Sequence, residues 1–380
     1  MENIKLMLPD FKLETFFSKW EFNVKHHMCA SDMETMSLRE LLKLGTQEDR
    51  ERWDNLTFKY IETFGTPELR YAIADTYKQL SPKNILAFAG AEEGIYTAMH
   101  CILQKEDHAI VITPNYQSSE TIPNALCNVT GITLDEKNDW NLDLDKIQDA
   151  IQKNTRLISI NFPHNPTGKV ISIQTLNTLI EIARKHEIYL FSDEVYRLME
   201  RNKNIRLPQV ADIYEKGLSL NVMSKAYGLP GLRIGWIATQ DLELLEKMEK
   251  MKHYLSICNS SPSEFLAVIA LKSGEKILAR NRKIINENLK ILNLFFHENS
   301  SLFEWKEPDG GCIGYPKYLG KEGVSVFCEQ LIKKHSIMLL PASVYESKVG
   351  ISPSNHFRIG YGRKKMNDGL DALKIAIKGK

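Results

Sequence analysis

Residues 218–238 read LSLNVMSKAYGLPGLRIGWIA. The stretch opens on apolar LSLNVM and closes on apolar IGWIA, two patterns expected of buried strands. Between them stand Ser224, Lys225, the turn-rich GLPG and Arg233. The glycines and proline of 228–231 predict a sharp backbone path at the strand end. Most lysines lie on polar helix faces, so one caught between two such strands is unusual. Partly desolvated, it loses its proton more readily and can form a Schiff base with an aldehyde. On the lysine alone the ordinary reading is a strand-end side chain in water. The residues around it shift the balance.

Working outward, strand and helix patterns alternate. ILAFAG (85–90) reads as a strand and EEGIYTAMHCILQ as a helix. AIVITP is a strand, SSETIPNALCNV a helix and GITLDE a short strand. LDLDKIQDAI is an acid-capped helix, TRLISINFP a strand, IQTLNTLIEIARKHE a helix and IYLFSDEVY a strand. Apolar runs separated by amphipathic helices predict a mostly parallel sheet covered on both faces.

In such sheets ligands sit beyond the carboxyl ends of the strands. At one end Gly90, Ala91 and Glu92 open a helix, whose free N–H groups suit a phosphate; a plain helix start favoured by acids is the alternative. Tyr116 follows the strand AIVITP, a place where a tyrosine more often simply packs. In NFPHNPTG, Asn165 is held between Pro163 and Pro166, a constrained turn that aims a side chain. Asp193 follows a continuous apolar run, so its carboxylate is at least partly buried and needs a cationic partner.

The run SKAYGLPGLRIGW resembles the cofactor-lysine motif of class I/II aminotransferases, which use pyridoxal 5'-phosphate (PLP). NFPHNPTG is close to that family's N-P-x-N-P-T-G, and the resemblance extends from about residue 60 to residue 361. It implies an α/β fold of the fold-type-I PLP-dependent transferases. A large domain would carry a mostly parallel seven-stranded sheet between helices, beside a smaller α+β domain. It makes Lys225 the Schiff-base lysine and Arg233 a phosphate ligand, with Ser224 adding a hydroxyl. Gly90, Ala91 and Glu92 become the phosphate cup, where Glu92 contributes its backbone amide because a carboxylate cannot donate. Tyr116 stacks on the pyridine ring, and Asn165 and Tyr196 bond its phenolic oxygen. Asp193 pairs with the ring nitrogen, which must stay protonated to act as an electron sink. Arg358, in SNHFRIGYG, becomes the clamp for the substrate α-carboxylate, two parallel hydrogen bonds suiting a guanidinium. Tyr60 is placed to reach the phosphate of a neighbouring subunit, which implies a homodimer with shared active sites. One departure stands out: the family often has Ser or Thr three residues before the lysine, and here that position is Val222.

The implied reaction moves an amino group from an amino acid to a 2-oxo acid. The same motifs also resemble the arginine-processing branch of this fold, of which capreomycidine synthase is one. There elimination, cyclisation or oxidation of a basic amino acid replaces transamination. A ligand-sensing regulator built on the fold would need an added basic DNA-binding domain.

The N-terminal region is an aromatic-rich arm, FKLETFFSKWEF, read as an amphipathic helix. Within it Glu14 and Glu21 could face a cationic substrate side chain, a salt bridge to an arm lysine being the ordinary alternative. Ser37 with Glu40 predicts a capping box on the helix LRELLKL, closed by Gly45. His26, His27 and Cys29 do not suggest a metal, because adjacent histidines point apart on regular structure. Beyond Ala238, DLELLEKMEKMKHYLSI predicts a helix to about residue 257, SIMLLPA a strand, and the C-terminal texture a small domain. The expected division is 1–43 for the arm and part of the small domain, 44–258 for the large PLP-binding domain and 259–380 for the small one.

Net charge is +1, from 49 basic and 48 acidic residues. That balance argues against a nucleic-acid partner. The six cysteines are scattered without a CxxC pair, so neither zinc nor a disulfide framework is expected. The opening MENIKLMLPDFK has no leader pattern, and no run reaches the ~18 apolar residues of a membrane span. A cytoplasmic protein is expected, with an amino acid and a 2-oxo acid as partners.

Overall fold

The computed structural model describes residues 8–378, so the first seven residues, read above for a leader, lie outside it. Seven strands form the central sheet: β1 Ile85–Phe88, β2 His108–Thr113, β3 Asn128–Thr133, β4 Thr155–Asn161, β5 Tyr189–Asp193, β6 Gly217–Val222 and β7 Gly235–Thr239. Their spatial order is β1-β7-β6-β5-β4-β2-β3. Only β7 runs antiparallel to its neighbours β1 and β6. This is the mostly parallel sheet that the sequence pattern predicts.

Period-2 alternation sends neighbouring side chains of one strand into different cores. Leu157 packs with one cluster, and Ile158 and Ile160 with another. Phe191 and Leu190 divide the same way. Truncating a fully buried residue such as Leu190 to Ala would cost about 2–5 kcal/mol. The edge strand β3 is only half-buried.

Register brings the carboxyl ends of the strands into line. Asn161 pairs with Asp193, and Asp193 with Leu220, two residues before the end of β6. The turn after β6 therefore delivers Ser224 and Lys225 beside Asp193.

Two expectations need correction. The helix Leu242–Lys252 stops short of residue 257. Its last residue, Lys252, turns into the core and donates to Thr63 O and Ala87 O, both at 2.8 Å. The chain then leaves the helical path, with Ile257 in left-handed conformation. SIMLLPA is not one strand but two, because it changes partners. Ile337–Met338 pairs parallel with His26–His27, and Leu340–Pro341 pairs antiparallel with Phe357–Gly360. The capping box at Ser37 forms in full. The arm forms a helix, Lys12–Trp20. Its Leu13 is buried with Cys29 and Tyr345, whereas Phe22 just beyond it stays exposed.

Candidate active site

A cavity of about 540 Å³ lies beyond the carboxyl ends of the sheet strands, roofed by the arm helix. Lys225, Asp193, Tyr196, Asn165, Tyr116, Ala91, Glu92, Ser224 and Arg233 line it, together with Arg358 and Glu21. Gly90 stands directly behind Arg233. Of the residues singled out in the sequence only Tyr60 is elsewhere, on the surface and 85% exposed.

One corner is built for an anion. The helix Ala91–Ile102 points its N-terminus there, offering unpaired N–H groups and the positive dipole end. Gly90 has φ +99° and Arg233 φ +52°, and the guanidinium fills the space that a Gly90 side chain would need. A Cβ on Gly235 would meet the Ala91 nitrogen at 2.9 Å, so that glycine lets β7 approach the helix start. The hydroxyl of Ser224 is buried and has no hydrogen-bond partner. A buried orphan hydroxyl is costly, and a phosphate in this corner would satisfy it. Val222, also on the wall, is apolar and adds no such contact.

At the floor Asp193 is buried and accepts from the Val195 N–H at 3.1 Å. Burial pushes its carboxyl up to about 6, against the pull of Lys225. The pyridinium of PLP is the partner this group calls for, and the donors of the anion corner suit its phosphate, so the residues present fit PLP.

Lys225 donates from Nζ to Ser31 Oγ at 2.9 Å and sits 5.8 Å from the centre of the Tyr196 ring. Burial lowers its pKa, as does the nearby Arg358 charge, while the Asp32 carboxylate opposes the fall. Asn165 Oδ1 accepts from Tyr345 OH at 3.0 Å. Arg358 is fully buried on the strand Phe357–Gly360 rather than exposed. It donates from Nε and Nη2 to Cys29 O, at 3.1 and 2.9 Å, and from Nη1 to Tyr345 OH at 2.7 Å.

Glu92 departs from a bare backbone role. Its carboxylate accepts from Ser118 Oγ at 2.9 Å, and burial pushes it up to about 7, with Glu14 and Asp193 adding to the rise. Tyr116 donates to Glu14 at 2.9 Å and lies 5.1 Å from the Phe11 ring, so the arm is fastened to this tyrosine. His164 bonds Pro114 O and Thr167 and belongs to the turn rather than to the cavity.

The chain matches the family model for aminotransferases of class I and II over residues 25–372. It belongs to that family. Capreomycidine synthase of Streptomyces vinaceus is 25% identical to this aminotransferase over 375 residues, 96% of this chain and 93% of that one. Aspartate aminotransferase of Pyrococcus horikoshii is 28% identical over 332 residues, 84% of this chain and 83% of that one. The crystal structure of a PLP-dependent aminotransferase from Streptococcus suis superposes with TM-score 0.91 at 28% identity, covering 98% of each chain. The enzyme is thus a PLP-dependent aminotransferase of the fold-type-I architecture, and PLP is its cofactor.

The aminotransferase's cavity also contains residues to which the sequence reading gives no part in this site, His27 being weighed there only as a metal ligand. Ser31, Asp32, His27 and Arg363 line the cavity, and Tyr345 touches both Asn165 and Arg358. Arg363 grips Asp32 with two bonds, at 3.0 and 2.9 Å. His27 Nε2 stands 3.5 Å from Glu21, and burial with two nearby arginines lowers its pKa to about 4, so it is neutral. Among the described residues no group of His, Cys, Asp and Glu could hold a metal, and no helix is long and apolar enough to cross a membrane.

Proposed function

We propose that Lys225 holds PLP as a Schiff base and carries the α-proton of an amino acid substrate whose side chain is cationic. The observation that supports this most is the buried, cation-seeking Asp193 beside Lys225, with Arg358 facing the same cavity. Bound PLP supplies an aldehyde and an electron-poor ring that accepts the electron pair left by the departing α-proton. Asp193 would keep the ring nitrogen protonated. Asn165 and Tyr196 would bond the phenolic oxygen, and Tyr116 would cover the ring face. Arg233, Ser224 and the amides at Gly90, Ala91 and Glu92 would hold the phosphate. Arg358 grips the α-carboxylate, and its partner carbonyl at Cys29 aims the fork.

The side-chain preference rests on charge. Asp32 is neutralised by Arg363, and the arm lysines are engaged elsewhere: Lys12 with Glu346, Lys19 over Trp20. Glu14 bonds a tyrosine and Glu21 stands beside a neutral histidine, with the Arg363 and Lys225 charges acting on Glu21 from farther off. Glu21 therefore binds the cationic group of the substrate. The same acidic end, and the similarity to capreomycidine synthase, favour as second reading elimination, cyclisation or oxidation of a basic amino acid.

A homodimer is part of this reading. Phe58, Tyr60 and Tyr254 are 91%, 85% and 89% exposed, and Lys252 ties their two segments together. Such an aromatic patch suits a second copy of the chain, to whose phosphate Tyr60 would reach. The free cysteines, three of them buried, support a reducing, cytoplasmic setting.

The test feeds arginine, lysine and alanine to the PLP-loaded enzyme with a 2-oxo acid acceptor. Coupled appearance of a new 2-oxo acid and a new amino acid supports transamination. Product without an amino acceptor supports the second reading. Glu21→Gln is expected to weaken arginine and lysine more than alanine; equal effects would remove the charge assignment.

A further inference from the structure

We propose that Ser31 is a positioning residue, holding the free amine of Lys225 in the orientation from which it exchanges the α-proton. This rests on reading Lys225 as the cofactor lysine. Nζ of Lys225 donates to Ser31 Oγ at 2.9 Å, and it is this amine that exchanges the α-proton.

A primary amine on a four-carbon stem rotates freely. Giving one N–H to a fixed acceptor removes that freedom and directs the remaining positions of the nitrogen. Proton transfer gains from such preorganisation, because small misplacements cost large factors in rate. Ser31 neither gains nor loses a proton. Lys225 takes the α-proton on its lone pair and returns it, so the exchange balances without another group.

The acceptor is itself fixed. Ser31 also hydrogen-bonds with Tyr196. The residues beside it are pinned on both sides. Met28 N donates to Met338 O at 3.0 Å, and Gly360 N donates to Met28 O at 2.8 Å. Cys29 O receives Arg358, and Asp32 receives Arg363. One stretch of four residues, 29–32, therefore orients two guanidinium groups and the amine of Lys225. It sets the amine against the carboxylate clamp, the two groups that must act on one Cα.

Other charges reach the amine. Asp32, Glu14, Glu21 and Asp193 favour its protonated form, and Arg358 and burial oppose it. The Cys312 thiol, pushed up to about 12, and the Tyr196 phenol, raised by burial, stay neutral near pH 7. Against this background the loss of one accepting hydroxyl is readable as a change in the titration of Lys225.

The experiment compares wild type with Ser31→Ala and Ser31→Thr. Borohydride reduction of the PLP-loaded proteins first locates the cofactor; a label on another lysine overturns the parent reading instead of this one. The proteins are next loaded with pyridoxamine 5'-phosphate, which leaves Lys225 a free amine. Its acetylation is then followed against pH by peptide mass spectrometry. Ser31→Ala is expected to lower the pH at which Lys225 becomes reactive, because an acceptor of the ammonium is gone. Its α-proton exchange in heavy water should fall on the order of 10-fold to 100-fold. Binding of an α-methyl amino acid, which has no α-proton, should be unchanged, and Ser31→Thr should restore exchange. If Lys225 is labelled yet titrates and exchanges in Ser31→Ala as in wild type, the proposal is overturned.

Discussion

Gly90 and Arg233 share one space: the Arg233 guanidinium lies where a side chain on Gly90 would begin. Gly90 also has φ +99°, a conformation that costs other residues strain. Gly90→Ala should therefore push Arg233 out of the anion corner. PLP affinity is expected to fall about 10-fold to 100-fold, the size of losing one strong charge-assisted contact. Equilibrium dialysis of the cofactor measures it, and Lys225 should still be the labelled lysine at saturating PLP.

Asp193 ties cofactor binding to pH. Its carboxyl is pushed up to about 6 in the folded protein, against about 3.9 in an unfolded chain. Below the lower value both states are protonated and the burial carries no ionic cost. As pH rises through the upper value, the cofactor-free fold loses stability relative to the unfolded chain. A pyridinium beside the carboxylate removes that loss. The gain in Tm on adding PLP should thus be larger at pH 8 than at pH 5, and Asp193→Asn should flatten the difference. Asp193→Ala should retain some PLP yet lose about 100-fold or more in α-proton exchange. Exchange at near wild-type rate would remove the residue from the mechanism.

Glu92 gives a second pH signature, readable in the cofactor-free protein. Burial raises it to about 7, so its protonated form is favoured by folding. The fold bears no ionic cost from it below about pH 4 and bears it fully once the pH passes the raised value. Glu92→Gln keeps a polar partner for Ser118 and removes the ionisation. The variant should gain on the order of 1–2 kcal/mol relative to wild type at pH 8, and little at pH 4. Denaturant melts at the two values decide it; equal differences would mean that Glu92 titrates normally.

The arm helix is held by its contacts at Tyr116 and Gln117 and by the Lys12–Glu346 pair. Deleting residues 1–20 should leave the visible absorption of bound PLP intact while raising KM and lowering kcat, since water would reach the reacting carbon. Unchanged kinetics on the best substrate would make the arm a packing element alone.

Tyr60 tests the assembly. Sedimentation should give a dimer, and Tyr60→Phe should weaken PLP retention several-fold without dissociating it. A fully active monomer is the result that rules out shared sites.

The strand ends were legible because their signals are local. Apolar runs end at Asp193 and before Lys225, and the prolines around Asn165 mark the turn within a few residues. What was illegible is held by partners far away in the chain. Ser31 meets Lys225 across 194 residues and Cys29 meets Arg358 across 329. No spacing within MCASD announces either contact. Lys252 looked like any lysine of an amphipathic helix. Its burial follows from two backbone carbonyls that only the tertiary fold brings to it. Glu92 lines the cavity, but its side chain answers to Ser118, a partner from the next helix in the chain.

The carbonyl of Cys29 and the guanidinium of Arg358 join segments 329 residues apart at the wall of the candidate site. A ribosome delivers these segments at different times. The central sheet can pair while the chain is still being made, since its strands all precede residue 240. The Arg358 guanidinium cannot meet the Cys29 carbonyl until residue 358 has left the exit tunnel. The sheet can thus form before this wall of the cavity does, and a chain cut short of residue 358 lacks that wall.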